Sequence, residues 1–526
     1  MNLSALKKFI TVVTVTIFIM ATVAPIFVLS WGFIEALFKQ QEALRFTFNL
    51  PLFFQSFGMT LLSAVISTAC GFLVAVGISM TLPAYAAKIG LISFALILLP
   101  AFIHVQSWIF FMDSLANSIN GLIGTTFNFN SYFAVVLTQT FSALPLPAGL
   151  IILALAAIPL EIQSMVKLDR PDAKAFFSIY FPFLLPAISL STILVFLLNI
   201  NDYGISSVFG VNSYALDLFA QFSSGMSVFG VFFNGLPLMI LSIAALAILA
   251  RAILKMDFSL GTSSSENPFA QSKLLRALAV PGLIIAGFYI FIPLSNLILK
   301  TMASSDIAGL LAAAMPEIVY GISVSGLAAV ISLIPAIFFA GIFYKSFQYK
   351  SSNYKAVCGY LILALAALPF LIPAPVLGLS LIRMWNTELL GAIYTSPLMP
   401  VIGLVAKYAF IEALILSIAF AALDPNYFEN IQVHWPGFKK AIGCLLHLIG
   451  RQCLAAMLIV IALSMGEFGV SLLIMPPGYQ TLTIKIYNYL HYGASDVVAI
   501  LCLFMVLLMV LVTMAIFGLL SGGKNE

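Results

Sequence analysis

Two stretches carry the same three kinds of side chain in the same order. Asp202-Tyr203-Gly204-Ile205-Ser206 and Glu467-Phe468-Gly469-Val470-Ser471 each place a carboxylate, an aromatic ring and a glycine inside strongly apolar surroundings. A carboxylate near the centre of a bilayer costs about 2.5–3.5 kcal/mol on insertion scales, so it faces a cavity or a partner. One reading is a matched pair lining a path, with Gly204 and Gly469 letting the helix deform and Tyr203 and Phe468 closing it. The other is that each acid caps the end of its helix near the outer interface. Lys407 and Glu412 share one apolar run but are not ideally placed on one helix face; a buried structural ion pair and a solute contact are both open to them. His104 stands alone in its run and is expected to hold an ordinary hydrogen bond, and His434 and His447 are expected at a surface or interface. Four scattered His, no carboxylate cluster and five Cys without CxxC spacing, Cys444 and His447 forming a lone CxxH, argue against a metal site or a disulfide framework. No GxxxxGK[ST] occurs, the only Gly-Lys being Gly523-Lys524, so the chain carries no P-loop for ATP hydrolysis.

The elements that must position these groups follow from composition. Of 526 residues, 62% are hydrophobic and 8% charged, against roughly 45–50% and 25% in soluble domains. A soluble core of this size would lack the polar surface to cover it. A cytosolic enzyme, a nucleic-acid binder and a disordered chain are excluded together, and a net charge of +4 is too small to suggest a polyanion partner. The expected class is an all-α polytopic protein in a lipid bilayer, with about 12 spans of about 20 residues. Apolar runs bounded by charges, Pro or Gly put them at 9–30, 54–80, 90–112, 132–158, 183–209 and 228–250, then at 278–299, 318–344, 356–382, 398–421, 452–475 and 493–519. About 17 of the 23 Lys and Arg fall in alternate loops, so these loops, and with them both termini, are expected in the cytosol.

The polar stretch 256–277 reads as a linker between a first half, 1–255, and a second, 278–526. Sliding the chain by 265 residues sets Ala64-Val65-Ile66-Ser67 on Ala329-Val330-Ile331-Ser332, Pro171 on Pro436, Lys174 on Lys439 and Asp202 on Glu467. One register serving three separate regions points to two fused six-helix units. Six is even, so the repeat is parallel.

Two cytosolic loops, 159–182 and 422–451, are much longer than the rest and mix charges with apolar residues at near-helical spacing. They suit either an interfacial amphipathic helix or a docking helix presented twice to a dimeric partner. Ile158-Pro159, Glu161, Lys167-Leu168-Asp169 and Phe181-Pro182 through Leu185-Pro186 resemble the coupling loop of binding-protein-dependent ABC importer permeases, as do Asp424-Pro425-Asn426, Glu429 and Val433. Ser464-Met465-Gly466-Glu467-Phe468-Gly469, then Pro476-Pro477-Gly478 and Thr481-Leu482, is similar to the fused permeases of the ferric-iron and thiamine importer group. Where that family has its loop glycine this chain has Arg170 and Trp435, followed by Pro171 and Pro436, with Gly437 next. The resemblance implies a type I importer fold and coupling through Glu161, Lys167, Asp169, Arg170, Pro171, Glu429, Val433, His434, Trp435, Pro436 and Gly437. It also implies a bacterial inner-membrane location, two copies of a separate ATPase carrying ATP and Mg²⁺, and a periplasmic or extracellular solute-binding protein. An ion-gradient-driven carrier with two six-helix halves is the alternative.

Overall fold

A computed structural model describes residues 16, 18–20, 22–38, 48–124, 126, 128–169, 173–253, 272–348, 365–421, 423, 438–493 and 495–521. Among the described residues every regular element is helical. Nine helices among the described residues are long and apolar enough to cross a membrane, or ten spans if one sharply bent pair counts as one. The chain is a multi-pass α-helical membrane protein.

The N-terminal half runs through α1 (Val23–Phe38), α2 (Leu50–Thr81), α3 (Ala86–Leu96), α4 (Ala101–Ile123), α5 (Ser131–Ala143), α6 (Pro145–Ala156), α7 (Leu160–Asp169), α8 (Phe181–Ile200), α9 (Gly204–Val208), α10 (Tyr214–Ser223) and α11 (Val228–Ile253). The C-terminal half runs through α12 (Lys273–Ala303), α13 (Ile307–Ala313), α14 (Met315–Gln348), α15 (Leu365–Leu371), α16 (Ala374–Trp385), α17 (Met399–Ala421), α18 (Phe438–Met465), α19 (Gly469–Ile474), α20 (Leu482–His491) and α21 (Ser495–Ser521). Local chemistry sets several of the ends. The Asn49 side chain accepts from the Leu52 N–H at 3.1 Å to open α2, and Pro83 follows its end. Gly124, at φ 71°, supplies the left-handed residue that ends α4.

Four of the expected spans are broken or cut short. The run 90–112 is two helices, α3 and α4, parted around Pro100, and 356–382 contains the pair α15 and α16, bent by 114° around Pro373. Proline lacks an N–H and pushes the residue before it out of helical geometry, so an unbroken apolar run does not give an unbroken helix. The runs 183–209 and 452–475 stop early, at Ile200 and Met465, and restart as the short helices α9 and α19. Broken helices are tolerated at membrane depth where protein surrounds them or they line a cavity.

Matching elements pack alike in the two halves. Helix α2 lies on α5, α6 and α8, as α14 lies on α17 and α18. The first helices each bridge the halves: α12 packs on α2 and α4 as well as on α21 of its own half, and α1 packs on α16 as well as on α11 of its own half. Phe18, just before α1, continues this bridging against Phe339 of α14, with ring centroids 4.2 Å apart. The α2–α12 crossing is close enough to need glycine at Gly77 and Gly282, the small-residue contact that membrane helices use in place of a hydrophobic driving force. Polar side chains also bridge helices: Asn199 Nδ2 donates to Ser63 Oγ at 2.9 Å, and Thr192 Oγ1 to Thr68 Oγ1 at 3.1 Å.

Candidate functional site

The four breaks meet. A Cβ on Gly466 would stand 3.0 Å from the Pro100 ring, and one on Gly469 would stand 2.6 Å from Ala374 Cβ at the start of α16. Asn201 Nδ2 donates to the Leu371 carbonyl at 3.1 Å, tying the α8–α9 break to the α15–α16 break. Each half therefore contributes two interrupted helices to one region.

Asp202 and Glu467 sit in the breaks themselves, not within a continuous fifth helix. Asp202 accepts from the N–H groups of Gly204 (3.4 Å) and Ile205 (3.1 Å). Glu467 accepts from Val470 N (2.8 Å) and Ser471 N (2.9 Å). Both carboxylates thus cap the start of the helix that follows the break, not the end of the helix that precedes it. The extra methylene of Glu467 also brings it within 2.6 Å of Ser471 Oγ and 3.0 Å of Lys407 Nζ.

Across the seam, Tyr203 and Phe468 face one another with ring centroids 5.5 Å apart. The Tyr203 hydroxyl donates to the Gly469 carbonyl at 3.1 Å, and its ring stacks on Phe219 at 5.3 Å. Phe468 in turn lies 4.1 Å from Tyr487, whose hydroxyl is 2.7 Å from Ser207 Oγ. Rings from both halves fill the position where the chain is interrupted, and two hydrogen bonds between the halves hold them. Cysteines replacing Tyr203 and Phe468 are expected to crosslink to each other in the resting protein under mild oxidant. Absence of that band on a denaturing gel, with both cysteines shown to be reactive, would remove the seam.

One reading left open is decided here, and one expectation fails. Lys407 does not pair with Glu412; it meets Glu467, 60 residues further along. Glu412 is fully buried and takes the Ser332 hydroxyl at 2.7 Å. The intrahelix angle disfavoured the first pairing, but only the fold brings α17 against α19. His104 is buried beside the Tyr289 ring, with centroids 5.6 Å apart, and neither ring nitrogen has a hydrogen-bond partner among the described residues. His447 is exposed, as expected.

Sequence reasoning missed Lys407 as the partner of Glu467 and Tyr487 as part of the ring cluster. The aromatic run Tyr487-Asn488-Tyr489 was the available signal for Tyr487.

No protein-family model matches the chain, and no curated protein does. The geometry therefore stands alone.

Of the loop residues, Glu161 is exposed on the first turn of α7, and Lys167 and Asp169 fall in the same helix. Ile162 and Val166 seat that helix in the cluster of Phe176 and Tyr180, while Met165 is 69% exposed. Arg170, Pro171, Glu429, Val433, His434, Trp435, Pro436 and Gly437 lie outside the described residues. Among the described residues no group of three His, Cys, Asp or Glu side chains is arranged to hold a metal ion.

Proposed function

We propose that the chain is the transmembrane permease subunit of an ATP-driven ABC importer, with both half-pores in one polypeptide. The observation that carries this reading is the matched packing of the two halves, bridged by their first helices, around the Tyr203–Phe468 seam. Two six-helix units related by an axis along the membrane normal place equivalent breaks opposite one another on that axis. Interrupted helices sealed by aromatic rings suit a path that opens when the halves move apart. The 12-span, two-repeat count belongs to this reading, as do the inner-membrane location and the cytosolic termini.

The partners follow from what the chain lacks and what it offers. ATP and Mg²⁺ would sit on two copies of a separate ATPase, and a solute-binding protein would deliver the cargo. Helix α7 supports docking, being seated by Ile162 and Val166 while Glu161 and Met165 face outward. On the rival reading, an ion-gradient-driven carrier, the buried Glu412 would be a coupling group, its Oε1 having no hydrogen-bond partner among the described residues.

The discriminating experiment is uptake into vesicles prepared from cells expressing the chain with its neighbouring reading frames. ATP is expected to energise uptake, and dissipating the ion gradients to leave it intact. Uptake driven by an imposed ion gradient without ATP would give the chain to the carrier class. On the importer reading, double replacement of Asp169-Arg170 or of His434-Trp435 by Ala uncouples ATP hydrolysis from uptake while the chain still reaches the membrane. Unchanged uptake and unchanged ATPase stimulation in both variants would reject docking through these loops.

A further inference from the structure

The two carboxylates of the seam match in register but differ in their surroundings. Glu467 is 4% exposed and takes four donors: Lys407 Nζ, Val470 N, Ser471 N and Ser471 Oγ. A carboxylate has about four acceptor positions, so Glu467 is saturated by its own half. Asp202, half-buried, accepts only the two backbone bonds from Gly204 and Ile205 among the described residues. Ser206 is the register equivalent of Ser471 and is 1% exposed, yet its hydroxyl has no partner among the described residues. Aspartate is one methylene shorter than glutamate, and the described residues hold no Asp202–Ser206 bond to match the Glu467–Ser471 one.

We infer that Asp202 and Ser206 form a solute-contacting subsite for a group rich in N–H or O–H donors, while Glu467 and Lys407 hold the seam together and do not contact the solute. A carboxylate with open acceptor positions, one helical turn before a buried hydroxyl that has no partner among the described residues, can take donors from outside the chain. The Lys407 ammonium interacts electrostatically with both acids, and of the two it is hydrogen-bonded to Glu467. The seam therefore carries one acid in excess over bases, on the Asp202 side. The inference rests on the permease reading for the solute's passage, but its test needs neither ATP nor a partner protein.

The test uses the full chain in lipid with cysteine at Gly204, where an added Cβ meets its nearest neighbours, Asp202 Oδ1 and Phe468, at ordinary distances of 3.5 and 3.6 Å. Labelling by a cationic and by an anionic methanethiosulfonate is followed by mass spectrometry of the peptide containing residue 204, and thermal unfolding is recorded in parallel. With Asp202 present, the cationic reagent is expected to react about tenfold faster than the anionic one, an effect in scale with one unpaired charge a few ångströms away. Asp202→Asn brings the ratio close to one with the unfolding temperature unchanged. Asp202→Glu keeps the charge and with it the ratio. Glu467→Gln alone leaves Lys407 without its partner acid and so lowers both the ratio and the unfolding temperature, and adding Lys407→Gln restores both. Should Glu467→Gln alone not fold, the ratio is read in that double variant. A ratio that survives Asp202→Asn, or that falls as far in the Glu467→Gln, Lys407→Gln double variant as in Asp202→Asn, overturns the inference. ATP-independent uptake would count against the permease reading and leave this result standing.

Discussion

Replacing Gly469 by Ala is expected to destabilise the protein by about 1–3 kcal/mol, the cost of overpacking a filled contact. The new Cβ would lie 2.6 Å from Ala374 Cβ and 3.3 Å from the Tyr203 ring. Neither neighbour moves cheaply: Ala374 has no side-chain torsion to turn, and Tyr203 is tied by its hydroxyl to Gly469 itself. Gly469→Val is worse, since a β-branched side chain adds bulk on a stiff χ1. The matching change on the other side, Gly204→Ala, finds ordinary contacts and is expected to be neutral or to stabilise by up to about 1 kcal/mol through reduced backbone freedom. Thermal unfolding of the two purified variants checks the contrast. Equal unfolding temperatures would mean that the α16–α19 contact is looser than described.

A comparable loss is expected at the crossing of α2 and α12. A Cβ at Gly282 would overlap the Leu73 carbonyl, and one at Gly77 would stand 2.9 Å from the Ala279 carbonyl. Both obstacles are backbone, so relief requires the helices to separate along their length. Gly282→Val is therefore placed at or above the upper end of the roughly 1–3 kcal/mol typical of overpacking. Gly287→Ala, on the same helix with nothing within 4 Å, is the control and is expected to behave as wild type. Limited proteolysis of the two variants in membranes separates these outcomes. Resistance of Gly282→Val equal to that of the control would deny the close approach.

Much of this architecture was legible in the residues, and the failures share one cause. Apolar runs such as 54–80, 228–250 and 398–421 overlap observed helices because hydropathy follows burial in lipid. At 90–112 and 356–382 the residues beside Pro100 and Pro373 are as apolar as any helix interior, so hydropathy alone passes over the break. At Asp202 and Glu467 the polar signal was seen, but its meaning depended on side-chain length and on what stood opposite. Lys407 was read against Glu412, its neighbour in sequence, whereas a contact spanning 60 residues exists only once α17 and α19 are brought together. The match of Ser206 with Ser471 was visible as a register. That one hydroxyl is bonded and the other is not follows from packing.

The bridging of the halves by their first helices has a consequence for synthesis. Helix α2 ends at Thr81 and its partner α12 begins at Lys273, so the ribosome makes about 190 residues between the two, roughly 10–40 s at usual elongation rates. Over that interval the glycine-lined face of α2 has only lipid or a membrane chaperone to cover it. A chain released before Lys273 would leave the bilayer with an unfinished half whose exposed face marks it for proteolytic clearance, and quality control would thereby sense completeness of the whole polypeptide through one late-arriving helix.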